Sequence, residues 1–399
     1  MRWEVKPLGE VCEIIGGGTP SRKVGAYYGG DIPWATVGDM NVEQLITTDL
    51  SITSVGLENS SSKVIPSGNV IIATRVGLGK SCILNVDTAI NQDLKGLVPK
   101  GSIGLIPMFL FRWTQSIAPR IIGAGTGATV QGVKITFVSQ LPIPIPPIAE
   151  QERIVAVLDE AFAAIDKAKA NIERNLTNAR ELFQSRLNDI FSNPSEDWRN
   201  TSLVDVCELI TCGVAARPNY VDEGIPFLSA KNVKNGRIIF NDYRFISAQD
   251  HAKLTKRNKP EIGDVLYTRV GSFGEAAVID REIEFSIFVS LTLIKPKKEV
   301  VASAFLKYYL NSHAVKQLAK NSVRSSGVGN LNVGTVRKFP IKFPPKKTQE
   351  RLIEEFDSIR NLTTSLELKY QSELDNLEEL RQSILEQAFE GKLTEPVAA

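Results

Sequence analysis

A chain of 399 residues, 43% of them apolar, is long enough for two or three packed domains with substantial cores. Four cysteines without a C-x-x-C spacing and only two histidines argue against a disulfide scaffold or a zinc site. No run approaches the roughly 20 apolar residues of a membrane span and the start MRWEVKPLGEV lacks a signal-peptide core, so the expectation is a soluble, cytoplasmic protein with no membrane contact.

The net charge of +2 hides two populations. Residues 1–149 carry 12 Lys and Arg against 10 Asp and Glu, and residues 198–344 carry 22 against 13. Residues 150–197 carry 6 against 10 and residues 345–399 carry 7 against 12. Contact with a polyanion is therefore expected from the first pair of segments and not from the second.

Taken in chain order, residues 1–149 read as short strands separated by Gly, Pro and Asn turns. An early loop, GGGTPSRK at residues 16–23, offers Thr19, Ser21, Arg22 and Lys23. A strand over Asn69–Thr74 runs into Arg75-Val76-Gly77-Leu78-Gly79-Lys80, where glycines allow close approach and Arg75 offers paired donors, with Thr74 and Lys80 beside it. A glycine-rich loop, GAGTGATVQGVK at residues 123–134, adds Gln131 and Lys134.

Residues 150–193 then read as one long helix. Pro146-Pro147 precede it, Glu150 and Glu152 occupy its first turn and Asn193-Pro194 end it. Its apolar stripe, from Ile154, Leu158, Ala161 and Ile165 to Phe183, Leu187 and Ile190, has a mean spacing of 3.6.

From residue 194 the chain begins again. Trp198, Leu203, Val206, Cys207, Glu208 and Ile210 repeat Trp3, Leu8, Val11, Cys12, Glu13 and Ile15 at an offset of 195. Ile225-Pro226 repeats Ile32-Pro33, and Thr268-Arg269-Val270-Gly271 repeats Thr74-Arg75-Val76-Gly77. The second module, residues 194–344, has CGVAARPN in place of the first loop, contributing Arg217 and Asn219. Thr268, Arg269 and Ser272 come from the strand-end loop, and Arg324, Asn330 and Asn332 from NSVRSSGVGNLN. Residues 345–399 hold a second long helix, preceded by Pro344-Pro345, expected like the first to open on an acidic turn and ended by Gly391, whose stripe includes Leu352, Phe356, Leu362, Leu380 and Ala388. Each helix is expected to span about 40 residues and roughly 60 Å. The simplest partner for each stripe is the other helix. The expected fold is α+β: two mixed, mostly β domains and two long antiparallel helices forming a coiled-coil-like stalk, a pseudo-twofold tandem repeat.

Enzyme signals are weak. Gly79-Lys80-Ser81 suggests a phosphate loop, but its leading glycine would fall on Thr74 and the second copy has Gly274-Glu275-Ala276. No dinucleotide fingerprint and no Asn/Asp-Pro-Pro-aromatic motif is present, and Glu354-Glu355 and Glu378-Glu379 sit on helix faces expected to be solvated. The reading is a chain with no catalytic residue, no metal site and no cofactor of its own.

The ordered, doubled set of motifs resembles the specificity (S) subunits of Type I restriction-modification systems over essentially the whole chain. The pieces are Trp3–Val11 leading to GGGTPS and Ile32–Trp34, then QLPIPIPPIAEQERI at residues 140–154, repeated over residues 338–352. The resemblance implies two target-recognition domains, here 1–149 and 194–344, and two helical spacers, 150–193 and 345–399. It implies a bipartite, asymmetric double-stranded DNA site, two bound methyltransferase (M) subunits and restriction (R) subunits in the larger assembly. S-adenosylmethionine, ATP and Mg²⁺ would belong to those partners. The competing reading is a helical scaffold that assembles proteins and never reads DNA. In the second module CGVAARPN departs from the family's opening loop.

Overall fold

The computed structural model describes residues 3–101, 103–127, 132–214, 218–256, 258–271, 273–326 and 329–393. It divides into two units, Met1–Ile172 with Ser372–Ala399, and Glu173–Gln371. Both unit boundaries fall inside the long helices, which run over Ile148–Ser192 and Lys346–Phe389.

In the first unit Glu4–Pro7 pairs antiparallel with Pro142–Ile145, so the chain enters and leaves the module at one place. Between them lie two sheets. One has five strands in the order Cys12–Gly16, Leu94–Pro99, Val70–Ala73, Ser81–Leu84, Gln44–Leu45; the other has four, Ser51–Ile52, Tyr28–Ala35, Thr88–Ile90, Lys63–Ile65. The alternation of Val, Ile and Leu with turn residues is what these short, half-buried strands require. The helix Pro107–Ser116 packs Phe109, Leu110, Phe111 and Trp113 against the five-stranded sheet.

The second unit repeats this plan. Arg199–Ser202 pairs with Pro340–Phe343, and one sheet orders Cys207–Cys212, Leu291–Pro296, Val265–Thr268, Ala276–Val278. The other orders Tyr220–Val221, Arg244–Ile246, Ile225–Leu228, Ser286–Ile287. A separate hairpin, Val233–Lys234 with Arg237–Ile238, turns through Asn235 and Gly236, both at positive φ, the geometry that Asn-Gly favours.

Within each unit the two helix segments run antiparallel. In the first, Phe162 meets Arg381 while Ile154 and Leu158 share a core with Leu385 and Ala388. In the second, Arg180 meets Glu367 and Arg186 meets Glu355. Phe191 packs against Phe305 and Phe356 as Phe389 packs against Phe109, with centroids 5.1–5.8 Å apart. The stripe drifts from the expected one by a single position in places. Leu362 and Leu380 are 56% and 47% exposed, and the adjacent Thr363 and the later Leu385 turn inward instead, because the buried arc of the helix is wider than one residue per turn. The second helix opens on Lys346-Lys347, with no acidic residue in its first turn.

One buried side chain fixes each helix to its module. Gln151 donates to the carbonyls of Gly104 (3.0 Å) and Pro146 (2.9 Å) and accepts from the Ile106 amide (2.9 Å). Gln349 does the same with Val300, Pro344 and Ala302, each at 2.9 Å. Both side chains are fully buried, so their loss would orphan three backbone groups. We expect Gln349→Ala to cost about 1–3 kcal/mol, read as a lowered denaturant midpoint at unchanged slope; an unchanged midpoint would contradict this role.

Candidate nucleic-acid interface

The strand-end loops that carry Arg75 and Arg269 sit in a register that the sequence repeat does not show. Ala73 N donates to Lys80 O, and Thr268 N to Glu275 O, both at 2.9 Å. Val133 N donates to Thr74 O (2.9 Å), and Leu331 N to Arg269 O (2.8 Å). Single bridges join Arg75 to Gly132 and Val270 to Asn330. The equivalent positions are thus Thr74 and Arg269, then Arg75 and Val270, at an offset of 195 throughout. The shared tetrapeptide Thr-Arg-Val-Gly aligns at 194 and is one residue out of structural register. A one-residue slip along extended backbone sends a side chain to the other face.

That slip corrects the expectation of two matching arginines. Arg75 projects outward with its side chain half exposed and its Nε 3.8 Å from Asp93 Oδ1, a loose surface pair. Arg269 is buried at 9% exposure, and its guanidinium donates to the carbonyls of Leu331 (Nε, 2.8 Å) and Val289 (Nη1, 3.1 Å). The register also accounts for Val76, a β-branched residue held at φ 40°, where the second unit has Gly271 at φ 72°. Positive φ is costly for valine, and such strain is commonly retained at functional loops.

Around Arg75 the first unit gathers a polar cluster. Thr19 donates its hydroxyl to the Gln92 side-chain oxygen, and Gln92 reaches Asp93 Oδ2 at 3.3 Å. Thr74 N and Arg75 N both donate to Asp93 O (2.8 and 3.3 Å), and buried Thr74 adds its hydroxyl at 3.2 Å. Beneath them Lys95 donates to the carbonyls of Gln92 and Leu94; burial pushes its ammonium below the ordinary lysine range, Asp93 opposing and Arg75 adding to the shift. The early loop is pressed onto the same strand end: a Cβ on Gly17 would lie 2.1 Å from Asn91 O, and one on Gly213 would lie 2.1 Å from Ile287 O. Only glycine fits there, so the second module keeps that closure although it lacks GGGTPS.

The remaining expected residues divide as follows. Ser21, Arg22 and Lys23 are exposed, and Tyr28 secures their loop by donating to Pro20 O at 2.6 Å. Lys134 is exposed at the start of a short helix beside Val133, within reach of the Arg75 loop. Lys80 belongs elsewhere: it donates to Asn41 Oδ1 at 2.7 Å, in a cavity near Glu43 and Arg381. In the second unit Asn219 is exposed beside Tyr220, whose ring carries the Arg244 guanidinium at 4.9 Å. Thr268 is buried and its hydroxyl accepts from Glu275 N. Asn330 flanks Val270, and Asn332 caps the helix Val333–Arg337 by accepting from Gly334 N at 2.7 Å. Gln131, Arg217 and Ser272 lie outside the described residues, as does the side chain of Arg324. Sequence reasoning missed Gln92 and Asp93, which carry no motif, and Tyr220 with Arg244, where an aromatic near a basic residue was the available signal.

Among the described residues no cluster of His, Cys, Asp and Glu could hold a metal ion, and no helix is long and apolar enough to cross a membrane.

A family model described as the Type I restriction modification DNA specificity domain matches residues 1–176 and 195–376, one match to each copy. The specificity subunit of the Type I restriction enzyme EcoKI from Escherichia coli (strain K12) is 24% identical over 98% of this chain and 89% of that protein. The MjaIX specificity subunit from Methanocaldococcus jannaschii is 24% identical over 98% and 93%. Among solved structures, a chain from a study of complex assembly and conformational transition of the type I R-M system matches with a TM-score of 0.78, 22% identity and 98% coverage of both chains. The HsdS subunit from Thermoanaerobacter tengcongensis matches with a TM-score of 0.59, 21% identity and coverage of 98% and 97%. These two establish likeness of fold.

Proposed function

The chain belongs to the Type I restriction modification DNA specificity domain family, and from that premise we propose that it is the non-catalytic DNA-reading subunit of a Type I restriction-modification complex. Each module reads one half of an asymmetric, bipartite duplex site. The long helices dock two methyltransferase subunits, restriction subunits complete the assembly, and S-adenosylmethionine, ATP and Mg²⁺ act on those partners.

The observation that carries this reading is one frame presenting two chemistries. At the same loop position the first unit exposes an arginine, Arg75, and the second a valine, Val270. Two halves built alike but faced differently suit a site whose halves differ in sequence. Thr19, Ser21, Arg22, Lys23, Arg75 and Lys134 are the proposed contacts of the first module. Asn219, Asn330, Tyr220 and Arg244 are those of the second, with Gln131, Arg217, Ser272 and Arg324 retained from sequence alone. Thr74, Thr268, Arg269 and Asn332 support the loops that carry them, and Lys80 serves away from the reading surface.

We expect Arg75→Ala to weaken binding to duplexes carrying the first half-site by about 1–3 kcal/mol, measured by titration of the complex with matched and half-site-scrambled duplexes, while unfolding stability stays within about 0.5 kcal/mol. An equal loss on every duplex would make Arg75 a phosphate contact. Footprinting that finds no sequence-selective protection by the complex would overturn the DNA-reading proposal.

A further inference from the structure

The two units build the junction of helices and module from equivalent positions with a different balance of charge. In the first, Arg112 holds Glu43 through two hydrogen bonds (2.6 and 3.1 Å) and Asp159 through Oδ1 (2.7 Å). Arg381 reaches Asp166 at 3.0 Å and Glu43 at 3.3 Å and lies 4.0 Å over the Phe162 ring. Two guanidiniums therefore meet three carboxylates. Burial works to raise the Glu43 carboxyl, but hydrogen bonds and charge from Arg112, with Arg381 adding, hold it below the ordinary glutamate range.

Two anchors fix the matching positions of the second unit. Capping boxes at Thr36–Asp39 and Ser229–Asn232 set an offset of 193, which puts Gly236 in the place of Glu43. The buried pair Gln151 and Gln349 sets 198, which puts Asp357 at Asp159, Arg360 at Phe162 and Thr364 at Asp166. Asp357 is still held, by the Tyr308 hydroxyl, and at the offset of 198 ring and cation have exchanged equivalent positions, Arg360 standing where Phe162 does and Phe183 where Arg381 does, with Arg360 5.9 Å from the Phe183 ring. The carboxylates of Glu43 and Asp166 have no counterpart.

In their place is a cavity of about 710 Å³ lined by Arg180, Lys234, Arg237, Lys316 and Arg360 against Glu275 and Glu367. Both acids are engaged, Glu275 by Lys316 and Glu367 by Arg180. Lys234, Arg237 and Arg360 have no carboxylate within 4.0 Å among the described residues. Position 236 supplies none, being a glycine at φ +69° packed beside the Arg360 guanidinium, where a Cβ would lie 2.7 Å from Nη1. Burial pushes nearby Lys307 down to about 8, and Arg360 and Arg237 push the same way against Asp357, so the positive field extends behind the cavity.

We infer that this groove takes a carboxylate from outside the chain: an acidic side chain on a segment of a protein partner, held by Arg237 and Arg360 as Glu43 is held by Arg112 and Arg381. The first unit is the template for the ligand's chemistry, with a carboxylate and not a phosphate at the centre of its network. The inference is independent of which DNA the modules read.

The test uses the full chain and fluorescein-labelled hexaglutamate, followed by anisotropy at low salt. Saturable binding is expected, weakened at least tenfold by Arg360→Gln. Thr364→Asp restores the carboxylate that the first unit has at Asp166, leaves every cation in place, and is expected to weaken binding by a similar factor. Lys80→Gln, in the first unit's matching cavity, should change nothing. No saturable binding, or binding indifferent to both second-unit variants, would overturn the inference. So would displacement of the peptide by inorganic phosphate or a DNA duplex at equal or lower concentration, which would make the groove a phosphate site.

Discussion

Arg269→Ala is expected to destabilise the second unit by roughly 3 kcal/mol and to abolish recognition of the second half-site as a consequence. The guanidinium makes two charge-assisted hydrogen bonds to carbonyls, each of a class worth about 1.5–3 kcal/mol, and its removal leaves the buried Leu331 O and the half-buried Val289 O without their donor. Those carbonyls belong to the two segments that flank the loop tip, so the loop loses its shape along with its stability. Arg269→Lys keeps the charge but cannot reproduce the forked geometry and should fall between. The contrast with Arg75→Ala is the point of the experiment: one substitution lowers the unfolding midpoint and the other lowers only selective affinity. An Arg269→Ala protein that melts like the parent yet loses its half-site would make Arg269 a base reader after all.

Lengthening both helices together should have a still larger effect on the cognate site. Four residues inserted between Ile172 and Glu173, and four between Gln371 and Ser372, fall at the boundaries between units, so each unit keeps its own helix packing. One added turn is about 6 Å of helix, close to two base pairs. If the helices set the distance between half-sites, selection from a library of spacer lengths should favour a gap longer by about two base pairs with both half-sequences unchanged. Binding to the original site should fall toward the non-specific level, a loss of 10³-fold or more on the scale of specific recognition. Retention of the original spacing would refute a measuring role for the helices.

Much of this architecture was legible because it is periodic. The repeat, the helix starts after Pro146-Pro147 and Pro344-Pro345, and the sheet strands all follow from local patterns that packing reinforces. What the sequence hid depends on single-residue register or on long-range pairing. The identical Thr-Arg-Val-Gly tetrapeptides draw any alignment to 194, whereas loops of equal length from Ala73 to Lys80 and from Thr268 to Glu275 keep the backbone at 195. Side-chain identity and backbone position disagree by one residue, enough to bury one arginine and expose the other. Leu362 and Leu380 were misplaced for a related reason, since a mean spacing of 3.6 does not say which of two adjacent residues faces inward. Glu43 and Arg112, 69 residues apart, carry no motif at all. Gln151 and Gln349 were visible as part of a repeated string, but their three hydrogen bonds belong to the folded junction alone.

The most direct test of the central claim is the methylated-base map of the host genome with and without this chain. The account predicts one bipartite, asymmetric methylated motif that disappears when the chain is deleted and returns with one altered half when a single module is exchanged. A motif that survives the deletion, or that changes in both halves on exchanging one module, would contradict it.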